Sequence, residues 1–293
     1  MQYSITHNTT YKYNETVNLC HNIAILSPRN TVTQTCHSFN IIISPAPQIM
    51  ESYEDFYGNK VSYFVVEQEH AQLSVTALSV VEKKPVKFNE DKISKESWES
   101  VRDTLMASSG DFVYEKQFTT ATEITVPSED IKAYAALSFT PGRPMFEAVH
   151  DQMKRIYKDF AFTPDFTTVS TPLSVVMKER KGVCQDFAHL GIACLHAVGL
   201  PARYISGYLE TLPPPGKPKL TGVDASHAWF SAFIPGMGWV DFDPTNNQLP
   251  GEQYITIGWG RNYFDIIPLR GIIMSNNGHE LKVSVDVRRL SAS

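Results

Sequence analysis

The stretch Lys181-Gly182-Val183-Cys184-Gln185-Asp186-Phe187-Ala188-His189-Leu190 decides the fold of this chain. Gly182 precedes an apolar-periodic run from Val183 to Val198, which predicts a helix with Cys184 in its first turn. Unpaired backbone N–H groups and the positive end of the helix dipole lie in that turn. They favour a thiolate and can donate hydrogen bonds to an oxyanion, so the pattern predicts that Cys184 is a nucleophile.

Two later stretches supply an imidazole and a carboxylate. They are Ser226-His227-Ala228-Trp229 and Gly238-Trp239-Val240-Asp241-Phe242-Asp243-Pro244-Thr245. The run from His227 to Ile234 and the run from Trp239 to Phe242 predict two strands, and the turn residues 235–238 between them indicate an antiparallel hairpin. A hairpin of this kind can bring Asp243 beside His227. An imidazole that takes the thiol proton activates the thiol, and a carboxylate fixes the imidazole tautomer.

The three stretches together resemble the transglutaminase-like superfamily, in its bacterial branch of cysteine-protease-like proteins with an N-terminal β-region. The resemblance extends upstream to residues 55–61 and downstream to residues 260–271, and so covers most of the chain. It implies Cys184 as nucleophile, His227 as general base and acid, and Asp243 as orienting carboxylate. The implied fold is α+β and papain-like, with the catalytic helix packed on an antiparallel sheet.

Several neighbouring residues have simpler interpretations. Cys194 is expected to be a small buried hydrophobe, and Asp186 a structural residue bonded to a loop amide. Asp241 is the alternative to Asp243, and the resemblance favours Asp243. No cluster of His, Cys, Asp and Glu has the spacing of a metal site, so neither a metal nor another cofactor is expected.

The substrate-binding residues are harder to assign. Among the aromatic residues Tyr204, Tyr208, Trp229 and Trp239, which could line an acyl groove, we predict Trp229 and Trp239 as substrate-binding. Papain-like enzymes place a glutamine upstream of the cysteine as an oxyanion donor. Lys178 stands near that position here, so the second donor stays open. The Pro- and Gly-rich stretch of residues 209–222 predicts a solvated loop, with a mobile flap near the site as the alternative.

Composition limits the possible partners and location. The chain has 293 residues, 42% of them hydrophobic, which is enough for a packed core. The net charge of −5 and the lack of a basic stripe argue against a nucleic-acid partner. No leader-like N-terminus and no apolar run of roughly eighteen residues is present, so we expect no membrane association. A nucleophilic thiol favours the reducing cytoplasm. The sequence does not indicate the oligomeric state.

The sequence pattern divides the chain into three parts. Residues 1–82 contain short, evenly spaced strand patterns that predict an N-terminal β-sandwich-like module. Residues 83–160 comprise a polar linker and a helical region, with helices predicted near 95–107, 127–138 and 144–159. Residues 161–293 form the predicted catalytic core, which closes with C-terminal strands.

The triad predicts acyl transfer through a thioester, but it does not choose the acyl acceptor. Hydrolysis of a peptide or protein substrate, as in a cysteine protease or amidase, is favoured because calcium-loop carboxylate clusters are missing. The alternatives are a protein-glutamine transglutaminase, which uses an amine acceptor, and a non-catalytic binding module that keeps the fold.

Overall fold

Fourteen strands and six α-helices make up the described part of the chain. The computed structural model describes residues 1–85, 94–108, 110–211, 225–273 and 278–290. The strands are β1 (Gln2–Val17), β2 (Cys20–Ala24), β3 (Gln34–Ser44), β4 (Ile49–Glu54), β5 (Lys60–Val66), β6 (His70–Lys83), β7 (Ala161–Phe162), β8 (Lys181–Gly182), β9 (Ala202–Leu209), β10 (Ala225–Ile234), β11 (Gly238–Phe242), β12 (Tyr254–Gly260), β13 (Leu269–Ile273) and β14 (His279–Leu290). The helices are α1 (Trp98–Ala107), α2 (Val113–Lys116), α3 (Glu129–Ala136), α4 (Met145–Asp159), α5 (Leu173–Glu179) and α6 (Cys184–Ala197).

The N-terminal strands form the predicted β-sandwich. One antiparallel sheet has the order β14-β1-β6-β3 and the other has the order β13-β2-β5-β4. Side chains from both sheets, such as Val75 and Phe64, share one buried apolar cluster. Buried and half-buried positions alternate along the first part of β1, because successive side chains of a strand point to opposite faces.

The order of strands corrects the predicted division of the chain. We predicted that the C-terminal strands belong to the catalytic core of residues 161–293. Instead β14 pairs with β1 along its length, and β13 pairs with β2, so both complete the N-terminal sandwich. Pairing partners far apart in sequence are invisible to local patterns, because strand periodicity reports a face and not a neighbour.

The other half of the molecule, called the catalytic half because it carries the predicted catalytic residues, consists of helices packed on a third antiparallel sheet of order β11-β10-β9-β12. The helix α6 lies against β9 and β10, and α3, α4 and α5 pack around it. Gly191 permits the close approach of helix and sheet, since a Cβ atom there would lie 2.5 Å from the Phe230 ring. The observed helices α1, α3 and α4 and the hairpin β10–β11 confirm the predicted elements and the α+β class.

Side-chain amides join the two halves of the molecule at the edge strand β12. Gln34 Nε2 donates to the carbonyl of Thr256 at 2.7 Å, and Gln34 Oε1 accepts from the N–H of Thr256 at 2.8 Å. Asn59 does the same at Trp259, with distances of 2.8 and 3.0 Å. The amides thereby replace the ladder partners that an edge strand lacks. One buried apolar cluster, which includes Tyr3 and Phe187, also spans both halves.

Two predictions fall on parts of the chain that can be described only in part. Most of the predicted flap, residues 212–222, lies outside the described residues, as does most of the predicted linker, residues 86–93. None of the helices in the described part of the chain has the length and hydrophobicity that a bilayer span requires.

Candidate active site

Cys184 is the first residue of α6, as predicted. The first backbone bond of the helix runs from Phe187 N–H to the carbonyl of Val183, so the preceding N–H groups have no partner within the helix. The carboxylate of Asp186 accepts from Val183 N–H at 2.8 Å and from Thr167 Oγ1 at 2.5 Å. This fixes the turn that presents Cys184, and it confirms the predicted structural role of Asp186.

The structure brings Cys184, His227 and Asp243 together. His227 Nε2 lies 2.8 Å from Asp243 Oδ2, and the imidazole and the thiol of Cys184 line one pocket, where Cys184 acts on the pKa of His227. Since Nε2 faces the carboxylate, Nδ1 is the nitrogen available to the sulfur. The strands β10 and β11 position base and carboxylate, while α6 positions the sulfur, so three separate elements converge on one point.

The environment of Asp243 keeps it ionised. Its side chain is fully buried. Oδ2 also accepts from the Tyr254 hydroxyl and from Asn246 Nδ2, both at 2.7 Å. Oδ1 accepts from the N–H groups of Thr245 at 2.8 Å and Asn246 at 3.3 Å. Sequence reasoning missed Tyr254 and Asn246, although the Asp-Pro-Thr-Asn run indicates an Asx turn of this kind.

The pKa values of His227 and Asp243 are shifted in opposite directions. Burial raises the pKa of Asp243, but the hydrogen bond and the charge of His227 outweigh burial and hold that pKa below its usual range. Burial lowers the pKa of His227, but the hydrogen bonds with Asp243 and Cys184 outweigh it and raise that pKa. An imidazole of this kind stabilises a positive charge, as a base that takes a thiol proton must.

Among the other thiols, Cys20 lies 3.8 Å from His70 Nε2, but it is a buried residue of strand β2 and not the first residue of a helix. Cys20 and Cys194 are buried, Cys36 is half-buried, and burial raises the pKa of each. Two histidines of α6 are packing residues. His189 Nε2 accepts from Tyr263 N–H at 3.1 Å, and burial lowers the pKa of His189 to about 3. His196 Nε2 bonds to the carbonyl of Phe118 at 2.9 Å.

A pocket of about 220 Å³ opens onto Cys184 and His227. The catalytic half contributes Tyr204 and Tyr263, and the β-sandwich contributes residues of β1 and β14, including His7 and Val283. His7 is buried and bonds to Tyr208 at 2.8 Å and to Thr9 at 2.9 Å, and burial lowers its pKa to about 4. The N-terminal module therefore forms one wall of the candidate active site.

The two tryptophans predicted to bind substrate do not line this pocket. Trp229 is 0% exposed and packs against the His227 ring at 5.9 Å between centroids. Trp239 lines a separate cavity on the other face of the sheet. Tyr204 lines the pocket instead. On β9 its side chain points to the opposite face from those of its neighbours Arg203 and Ile205.

Comparison with known proteins identifies the family. Residues 3–82 match the bacterial transglutaminase-like N-terminal region, and residues 133–244 match the transglutaminase-like superfamily. The chain is 41% identical, over 293 residues, to an uncharacterised protein of Mycobacterium tuberculosis; the match covers 98% of this chain and 92% of that protein. This chain belongs to the transglutaminase-like superfamily.

Two further proteins resemble this chain, one in its fold and one over part of its sequence. A crystal structure of a proposed cysteine protease from Cytophaga hutchinsonii superposes with a TM-score of 0.78 at 22% identity; the match covers 100% of this chain and 92% of that chain. At this identity the likeness shows the fold. A protein-glutamine gamma-glutamyltransferase from Pseudomonas aeruginosa is 32% identical over 97 residues, which are 32% of this chain and 14% of that protein.

Proposed function

We propose that the protein catalyses acyl transfer from a peptide or amide to water, through a thioester on Cys184. One observation carries this proposal: the half-buried thiol at the start of α6 lines the same pocket as an imidazole that is itself held 2.8 Å from a buried carboxylate. Nucleophile, base and orienting group are thus connected in the order that thiol catalysis requires.

The proposed reaction has two halves. His227 Nδ1 takes the proton of the Cys184 thiol as the sulfur attacks the carbonyl carbon of the substrate. The tetrahedral intermediate collapses when the imidazolium donates that proton to the leaving amine, which departs and leaves a thioester. Water then attacks the thioester while His227 takes one of its protons. When the second intermediate collapses, the acid is released and the sulfur regains the proton.

The pocket offers donors for the oxyanion. The free N–H groups in the first turn of α6 are the first set. Tyr204 is our candidate for the second donor, which the sequence left open. Tyr204 lines the pocket. Its burial, and to a smaller extent the charge of Cys184, raises the pKa of Tyr204 well above the usual range, so the phenol keeps its proton. Lys178 is an exposed residue of α5 and is absent from the pocket lining.

The fold of the Cytophaga hutchinsonii protein, itself proposed to be a cysteine protease, supports a peptide as the substrate class. A cytoplasmic location stays a prediction that rests on the reactive thiol.

A transamidase is the second candidate, because the matched segment of the Pseudomonas aeruginosa relative belongs to a gamma-glutamyltransferase. Both reactions share the thioester and differ in whether water or an amine attacks it. An amine competes with water only if the protein binds and orients it. The described residues around Cys184 include no carboxylate in the pocket lining that would hold an ammonium group.

The test combines trapping of the intermediate with partition of the product. The protein is mixed with p-nitrophenyl acetate, quenched with acid and mapped by mass spectrometry. We expect one acetyl group on Cys184 in the wild type and in the control Cys36→Ala, and none on residue 184 in Cys184→Ala. His227→Ala should slow the acetylation roughly a thousandfold. Acetylation that favours Cys20, Cys36 or Cys194 would refute the assignment of the nucleophile.

The acceptor is then identified with a glutamine-containing peptide library in chelator or in calcium, with and without millimolar primary amine. We expect free acid as the main product in every condition. If amide dominates, or if calcium is required, the transamidase replaces the hydrolase.

A further inference from the structure

A second, larger cavity of about 700 Å³ lies on the other side of the catalytic sheet. Alternate residues of β9 show this arrangement. Tyr204 and Ser206 line the Cys184 pocket, whereas Arg203 and Ile205 line the second cavity. Because successive side chains of a strand point to opposite faces, the two cavities lie on opposite faces of the sheet. An occupant of the second cavity is therefore a different molecule, or a different part of one, from the acyl group at Cys184.

Three cationic side chains converge on this second cavity. They are Arg29, Lys83 and Arg203, and the last two are only 5% and 7% exposed. Among the residues that the structure describes, no carboxylate lies within ion-pair distance of any of the three. Asp241 and Glu115 also line the cavity, and Asp241 acts on Arg203 and Lys83 only at longer range.

Buried cations are ordinarily paired, because desolvation of an isolated charge is costly. Burial accordingly lowers the pKa of Lys83, and it lowers the pKa of Arg203 to about 10.

The contacts that exist satisfy the faces of the guanidinium groups but not all of their donors. The guanidinium carbon of Arg203 lies 3.8 Å from the ring centre of Trp259 and 4.3 Å from that of Trp239. The guanidinium carbon of Arg29 lies 3.6 Å from the ring centre of Trp259. Arg29 also donates to Asn59 at 2.9 Å. Within the described part of the chain, Arg203 Nε and Trp239 Nε1 are buried donors without an acceptor.

We propose that the second cavity is a binding site for an organic carboxylate with an aromatic or apolar body. Guanidinium edges match the two oxygens of a carboxylate, and the Lys83 ammonium adds a third donor group. The indoles of Trp239 and Trp259, with Phe56 and Ile205, supply apolar walls for the body of the ligand. The volume is typical of a cavity for a small organic molecule and exceeds what a bare oxyanion fills. This proposal does not depend on the reaction at Cys184.

Binding in the cavity can be followed by tryptophan fluorescence, because two of the four tryptophans of the chain, Trp239 and Trp259, line it. Tryptophan fluorescence is titrated with phenylacetate, with phenylacetamide and with inorganic phosphate. We expect saturable binding of phenylacetate, with at least tenfold weaker binding of phenylacetamide, which has the same shape without the charge, and of phosphate, which lacks the aromatic body.

Lys83→Met and Arg29→Gln should each weaken phenylacetate binding about tenfold. The matched control Lys132→Met, at an exposed cation of α3, should leave it unchanged. Circular dichroism and thermal unfolding identify variants that fail to fold. If one of the two variants fails to fold, the other still tests the proposal. Absence of saturable binding, equal binding of the amide or of phosphate, or equal weakening by the control would overturn the proposal.

Discussion

At the scale of single residues, the two aspartates at the end of β11 differ in their surroundings. Asp243 bonds to His227 and is fully buried, whereas Asp241 lines the second cavity among cations. We expect Asp243→Asn to lower kcat/KM for acyl transfer by about a hundredfold or more, because the amide cannot fix the imidazole tautomer or stabilise its charge. Asp241→Asn should stay within a few-fold of wild type. The reverse result would mean that the wrong carboxylate is assigned.

The same pair of residues predicts a pH-dependent contribution to stability. The folded pKa of His227 is raised above its unfolded value of about 6.5, so its contribution is complete below pH 6.5 and declines as pH rises through the folded pKa. The folded pKa of Asp243 is lowered, so its contribution is present above about pH 3.9 and is lost as pH falls through the folded pKa.

The measurement is urea unfolding of Cys184→Ala and of Cys184→Ala/Asp243→Asn at several pH values. Titration of the thiol is removed from both variants. We expect the difference in unfolding free energy between them to be largest between about pH 4 and 6.5, and to be smaller by about 1–2 kcal/mol at pH 9. A difference that is flat or grows toward pH 9 would contradict the ion pair.

At the scale of elements, the site depends on how closely α6 approaches the sheet. A Cβ atom at Gly191 would meet the Phe230 ring at 2.5 Å, and Phe230 stacks in turn on Phe242. Gly191→Ala gains up to about 1 kcal/mol in helix propensity and loses about 1–3 kcal/mol through overpacking. We therefore expect a net loss of stability in urea unfolding. Cys184 should also be alkylated several-fold more slowly, since a displaced helix moves the sulfur away from His227.

Gly251→Ala is the control, because a Cβ atom there has its nearest neighbour at 3.6 Å. A stabilised Gly191→Ala variant would refute the close packing.

At the scale of the whole molecule, the β-sandwich forms part of the active-site pocket. Val283 of β14 lies at the pocket wall and is 46% exposed, so a large side chain can be placed there without disturbing the core. We expect Val283→Trp to slow the reaction of Cys184 with a bulky peptide donor at least tenfold, and its reaction with iodoacetamide by less than threefold, because only the large molecule needs the filled space. Lys282→Trp on the other face of the strand is the control. Equal slowing of both reagents would indicate a general distortion.

Local sequence determined most of the elements of this protein and pointed to its candidate catalytic residues. Periodicity predicted α6 and the hairpin β10–β11. The chemistry of a thiol at a helix start predicted Cys184 with His227, and the family resemblance selected Asp243 over Asp241. Only the tertiary structure decided what surrounds them. It placed β13 and β14 in the N-terminal sandwich, buried Trp229, assigned Trp239 to another cavity and brought Tyr254 to Asp243. The physical reason is that elements follow from neighbours within a few residues, whereas strand partners and cavity walls follow from contacts between residues far apart in the chain.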